Sequence, residues 1–210
     1  MILFADNDIF LKLTGCGLLQ DFIDCLSLTQ QQIYVAPTLK FSIRGQMNKS
    51  FHGEQAESAK NTLSQFLNKV NVSEELAADE QQTFLDTLSV FPKIDPGEAI
   101  LLTHAYFNPA SKIATGDKNC LKAVIKANNL TDLQQSLQGR VYTLEMAMLI
   151  LIERMGFEAI NAKVSNRCIE DMVLKMAFGE NRTQENAVMC LSSYTKELIS
   201  LLAEPQLIIE

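Results

Sequence analysis

The chain has 210 residues, 47% of them apolar, and a net charge of -7 at neutral pH. That length suits one large domain, or an ordinary domain with an extension, and that apolar content builds a core, which excludes wholesale disorder. The acidic balance argues against a broad basic surface that grips duplex DNA by its phosphates. It leaves room for an enzyme that meets nucleic acid through bound cations, because such sites are themselves made of carboxylates.

Five cysteines (Cys16, Cys25, Cys120, Cys168 and Cys190) are scattered and odd in number, without C-x-x-C spacing. They point to a reduced, cytoplasmic chain with no zinc site. Met1 leads directly into an apolar segment without a leader-like stretch, and the longest apolar run, residues 146–152, is too short to span a bilayer.

In chain order, Ile2-Leu3-Phe4-Ala5 reads as a fully buried strand that delivers Asp6-Asn7-Asp8 onto a helix over 8–13. In an open parallel sheet that strand-to-helix turn lies at the carboxyl edge, where ligands bind. A helix over 18–26 follows, then a polar loop at Gln30-Gln31-Gln32 and a second strand over 33–36. Pro37 and Thr38 open a short helix over 39–43, and residues 47–53 read as a loop. Residues 54–70 and 74–90 read as amphipathic helices. Their apolar faces are Ala56, Ala59, Leu63, Phe66, Leu67 and Val70 in the first, and Leu76, Ala77, Phe84, Leu85 and Leu88 in the second.

Asp95-Pro96-Gly97-Glu98 has the form of a helix start: a capping acid, a first-turn proline, and a glutamate three residues beyond the cap. Residues 112–115 form the third strand, turned by Gly116-Asp117 into a helix over 118–127. Residues 139–142 read as a short fourth strand, with Thr143 capping a helix over 144–155. The alternation predicts an α/β three-layer sandwich with a mostly parallel central sheet over residues 1–156. Two further helices over 160–178 and 183–203 form a helical C-terminal extension, residues 157–210, packed on that domain or on a second copy of it.

Asp6, Asp8, Glu98 and Asp117 all sit at predicted helix starts, where an acid caps free N–H groups and complements the helix dipole. Taken singly, capping explains each. Together they form a set, because Asp6 and Asp117 each close a buried strand and a parallel sheet places both on one edge. Carboxylates without neighbouring histidine or cysteine suit a hard, oxygen-liganded cation, Mg²⁺ or Mn²⁺. Such an ion activates water and steadies phosphoryl charge, so phosphodiester hydrolysis is the natural reaction.

Three segments, Ile2-Leu3-Phe4-Ala5-Asp6-Asn7-Asp8, Asp95-Pro96-Gly97-Glu98-Ala99 and Ile113-Ala114-Thr115-Gly116-Asp117-Lys118, resemble the PIN domain over about residues 1–156. PIN domains are metal-dependent ribonucleases with an α/β three-layer fold, many of them toxins of bacterial toxin–antitoxin pairs. The resemblance implies that Asp6, Glu98 and Asp117 are catalytic and that they hold Mg²⁺ or Mn²⁺ together with Asp8, where asparagine or serine is more usual. It also implies an RNA substrate, an antitoxin or other protein partner, and a homodimer.

One departure stands out. The family carries another acid in the helix after the second strand, and here that position falls near Ser42, flanked by Lys40 and Arg44; Asp8 and Glu145 are the candidate compensating carboxylates. Losing a charged ligand weakens affinity for such ions. The sequence therefore supports a ribonuclease first, and second a PIN-fold binding or scaffold subunit with weakened catalysis. A structural protein whose acids are all caps is the third reading. Lys40, Arg44, Lys49 and Lys118 are candidate phosphate contacts, equally readable as solvated lysines and arginine. His52 and His104 lack a nucleophile partner, Gly15 and Gly17 make no phosphate loop, and the Met146, Met148, Leu149, Ile152 and Met155 face reads as core or interface.

Overall fold

The computed structural model describes residues 1–73 and 76–209, apart from the side chains of Lys40 and Phe41. Among these, five strands form one all-parallel sheet: β1 (Ile2–Ala5), β2 (Ile33–Val35), β3 (Asn71–Val72), β4 (Ser111–Thr115) and β5 (Val141–Thr143). Their order across the sheet is β3-β2-β1-β4-β5. The chain starts in the middle, builds outward to β3, then returns to β1 and builds outward on the other side. The β1/β4 pair is therefore the switch point, in register Phe4 to Ile113 and Ala5 to Ala114.

Helices flank the sheet, consistent with a three-layer sandwich, and they explain the apolar strands. Leu3, Phe4 and Ala5 are all buried, as a central parallel strand covered on both faces must be. The helices are α1 (Asn7–Gly15), α2 (Leu19–Cys25), α3 (Leu39–Ser50), α4 (Ala56–Leu67), α5 (Asp79–Ser89), α6 (Pro96–Phe107), α7 (Lys118–Lys126), α8 (Thr131–Leu137), α9 (Leu144–Met155), α10 (Phe157–Ser165), α11 (Met172–Ala177) and α12 (Gln184–Thr195). Of the methionine-rich face on α9, Met146, Met148, Leu149 and Ile152 are core, and only Met155 is exposed.

Several expectations give way. The segment 47–53 is not a loop from its start, because α3 continues to Ser50; Leu39, Ile43 and Met47 are buried at four-residue spacing, a narrow stripe hidden by polar neighbours. The helix expected over 74–90 begins at Asp79, with Glu74 and Glu75 outside the described residues; Leu76 and Ala77 precede it, and Leu88 is its buried residue. Asn71 and Val72 instead pair with β2, and two residues are too few to show a period. The strand expected as third is thus fourth in the chain.

The helix expected over 160–178 is split into α10 and α11. Between them Cys168 donates its N–H to Gly15 O at 2.9 Å, His52 donates to Cys168 O at 2.8 Å, and Phe51 and Ile169 form an antiparallel bridge. Those backbone groups serve another segment, so they cannot serve a helix. The helix over 183–203 stops at Thr195, and a turn carries the chain to Leu202, which bridges to Val141 beside β5. The last helices pack on α9 and share its core.

Candidate functional site

The switch point opens into a cleft of about 1060 Å³. Asp6, Asp8, Glu98 and Asp117 all line it, so the structure brings together on one surface the four acids that the sequence spreads over more than a hundred positions. Each arrives by local chemistry. Asp6 ends β1 and caps α1, its Oδ1 accepting from the Ile9 N–H at 2.9 Å. Its Oδ2 accepts from the Thr115 hydroxyl and from the Gly116 N–H at 3.2 Å, which ties the end of β1 to the end of β4.

Asp117 caps α7, accepting from the N–H groups of Asn119 at 2.7 Å and Cys120 at 3.3 Å. Glu98 closes a reciprocal capping box with Asp95: Asp95 Oδ1 accepts from the Glu98 N–H, and Glu98 Oε2 accepts from the Asp95 N–H, both at 2.8 Å. Asp8 caps nothing. It pairs with Lys12 at 2.7 Å, and Lys12 in turn reaches Asp171 at 3.1 Å. A Cβ on Gly116 would stand 2.0 Å from Asp8 Oδ2, so that turn needs glycine for Asp8 to lie where it does.

Caps alone do not account for the electrostatics. Burial pushes the Asp6 carboxyl up to about 7; the Ile9 N–H and Thr115 hydroxyl pull it down, and the charge of Asp8 adds to the rise. Burial likewise pushes Glu98 up to about 8, opposed by the Asp95 N–H and reinforced by the charges of Asp95, Asp117 and Asp6. Two carboxyls on different segments are thus held near neutrality of charge at physiological pH, each raised in part by neighbouring acids. A cation would relieve that crowding.

The donor type fits a hard cation, since Asp6, Asp8, Glu98 and Asp117 are all carboxylates. Buried Cys120, which lines a small cavity together with Asp6 and Glu98, is the soft exception. As the side chains stand, no three Asp, Glu, His or Cys groups among the described residues converge closely enough to hold an ion.

The Ser42 position is filled by a neutral cluster. Asn7 donates through Nδ2 to Ser42 Oγ at 2.9 Å and to Gln46 Oε1 at 3.1 Å, all three lining the cleft. Glu145 does not replace the absent acid at the surface. It lies buried in α9's first turn, paired with Lys118, while Thr143 caps that helix through the Met146 N–H at 3.2 Å. Lys118 lines the cleft; Arg44 and Lys49 are exposed and lie away from its lining, and the Lys40 side chain lies outside the described residues. His104 is packed on the Phe4 ring at 5.4 Å, and His52 is exposed.

Sequence reasoning missed Gln46, one helical turn beyond Ser42, whose spacing was a usable signal. It also missed Tyr194 and Glu197, which reach the cleft from the C-terminal segment with no local signal at all. No family model, no curated protein and no solved structure matches the chain. The likeness to the PIN pattern therefore stands on the quoted residues. No described helix is long and apolar enough to cross a membrane, and all five cysteines are unpaired.

Proposed function

We propose that the chain is a PIN-type, divalent-metal-dependent ribonuclease. One observation carries this reading: half-buried Asp6 and buried Glu98 share the switch-point cleft with Asp117, their carboxyls raised to about 7 and about 8. Perturbed acids gathered in a cleft at this place in a parallel sheet mark a working site. Asp6, Glu98 and Asp117 would hold Mg²⁺ or Mn²⁺, with Asp8 as the fourth carboxylate once it leaves Lys12. The bound ion supplies Lewis acidity, lowering the pKa of a water and neutralising charge on the phosphodiester. The chain's own contribution is to orient those oxygens: the Ile9, Gly116 and Asp95 amides and the Thr115 hydroxyl fix the carboxylates before any ligand arrives. RNA is the substrate class, and an antitoxin or other protein is the expected partner.

The second reading is a PIN-fold binding or scaffold subunit. The hydrogen-bonded Asn7–Ser42–Gln46 cluster favours it, because it occupies the position of a carboxylate with neutral groups that already satisfy one another.

Melting curves in EDTA and in millimolar Mn²⁺, for wild type and Asp117→Asn, separate the two. A ligand at a hundred times its dissociation constant stabilises the native state by about 2.7 kcal/mol, about 5–10 °C in a chain of this size. Asparagine caps a helix as well as aspartate does, so the variant keeps its cap and loses only its charge. The ribonuclease reading expects the rise in wild type alone, with Mn²⁺-dependent cleavage of single-stranded RNA. Equal curves with and without Mn²⁺ in wild type would overturn it and leave the binding subunit.

A further inference from the structure

Lys118 follows Asp117 directly and stands in the cleft, and its ammonium is gripped from two sides by residues distant in sequence. Glu145 Oε1 accepts from its Nζ, and the Tyr194 ring lies under it with 4.7 Å from Nζ to the ring centre. Glu145 is 2% exposed, and its Oε2 has no hydrogen-bond partner among the described residues, so Lys118 supplies the countercharge of a buried carboxylate. Tyr194 is braced in turn, its hydroxyl donating to Met176 Sδ of α11 at 3.4 Å. A lysine on a free four-carbon stem is a loosely placed charge. Here the seat removes that freedom, yet the ammonium has three N–H donors and its side chain still opens on the cleft.

We propose that α12 completes the cleft, with Tyr194 and Glu145 holding the Lys118 ammonium where it takes a non-bridging oxygen of a phosphodiester. This rests on the ribonuclease reading for the identity of the ligand. Lys118 is the substrate contact; Tyr194 and Glu145 are positioning residues that act through it. The proposal assigns a task to the C-terminal segment, which supplies Tyr194 and its brace. The other lysines lining the cleft are held by exposed or half-exposed acids, Lys122 by Glu197 at 2.8 Å and Lys12 by Asp8 at 2.7 Å, whereas Lys118 is seated on a buried one.

The test is binding of a fluorescent single-stranded 2′-O-methyl oligoribonucleotide, which resists cleavage, measured across a salt series. Lys118→Gln alone strands the Glu145 charge and risks the fold. Lys118→Gln is therefore made together with Glu145→Gln and compared with Glu145→Gln alone. Loss of one phosphate contact weakens binding about tenfold and makes the log–log salt slope shallower by about 0.7, the value for a single counterion on single-stranded nucleic acid. Tyr194→Leu is expected to weaken binding in the Lys118 protein and to do nothing further in the doubly neutral background, as for residues acting through one group. Unchanged affinity and slope without Lys118 would overturn the proposal and leave the ribonuclease reading standing. A Tyr194→Leu loss that persists in full without Lys118 would also overturn it, since the ring would then be touching the oligonucleotide itself. A wild-type protein that does not bind the oligonucleotide at all would sink the ribonuclease reading and the proposal with it.

Discussion

Asp6 and Glu98 each do two things, and the second has a cost. At the helix starts they satisfy backbone N–H groups, Asp6 that of Ile9 and Glu98 that of the capping residue Asp95, which an acid or amide at those positions would do. As acids set into the cleft wall and crowded by other acids they are held well above the usual carboxylate range. Their capping was legible in sequence, because a cap and its helix are three residues apart. Their burial was not, since it depends on β4 and α6 arriving from a hundred positions away. A raised native pKa means that the folded protein holds protons the unfolded chain has already released, so stability is full at low pH and falls as pH rises. In EDTA the wild-type protein is expected to lose stability between about pH 4 and pH 8, by about 1.4 kcal/mol per pH unit for each extra proton held. An Asp6→Asn variant shows a shallower slope in urea titrations run across that range. A flat profile for wild type would mean that these carboxyls are solvated. Arg140 is the opposite case: it read as a strand residue, yet its buried guanidinium donates to the Ser111, Ser136, Ala105 and Asn108 carbonyls and ties the amino end of β4 to the carboxyl ends of α6 and α8.

At the scale of elements, the helix starts were more legible than the helix ends. Asp95-Pro96-Gly97-Glu98 announces α6, and the structure begins α6 at Pro96. α3 outran its expected end because its stop depends on Phe51 finding Ile169 rather than on a local breaker. The join of α1 to the segment before α11 turns on Gly15. A Cβ there would stand 2.4 Å from Ile169 Cγ2 and 2.6 Å from its Cβ, too close for either element to yield cheaply. Alanine is the better helix former by about 1 kcal/mol, but overpacking a buried contact costs 1–3 kcal/mol or more. Gly15→Ala is therefore expected to destabilise the protein by about 2 kcal/mol in urea unfolding. Neutral or improved stability would show that the 168–169 segment is only loosely seated on α1.

At the scale of the whole molecule, the sheet's exposed flank is closed by the end of the chain. The N–H groups of Arg140 and Val141 donate to Leu201 O at 3.0 and 2.9 Å, Ala203 returns a bond to Val141 O at 2.9 Å, and Leu198, Leu201 and Leu202 are buried there. An uncovered parallel edge with apolar neighbours invites pairing with another chain. A chain cut after Leu198 is expected to melt lower and to aggregate on size-exclusion chromatography; a monodisperse product with an unchanged melting temperature would show that β5 needs no cover. The sequence by itself determined the buried strands at 2–5, 33–36 and 112–115 to within a residue, the caps that begin the helices, and the acids at 6, 98 and 117. All of these follow from period, burial and hydrogen bonds between residues within a few positions of one another. Only the tertiary structure decided that two residues at 71–72 join the sheet, that Ser42 is answered by Asn7 and Gln46, and that Lys118 rests between Glu145 and Tyr194. Those pairings join residues that are near only after loops of tens of residues close, and no local preference encodes which distant partner a closed loop delivers.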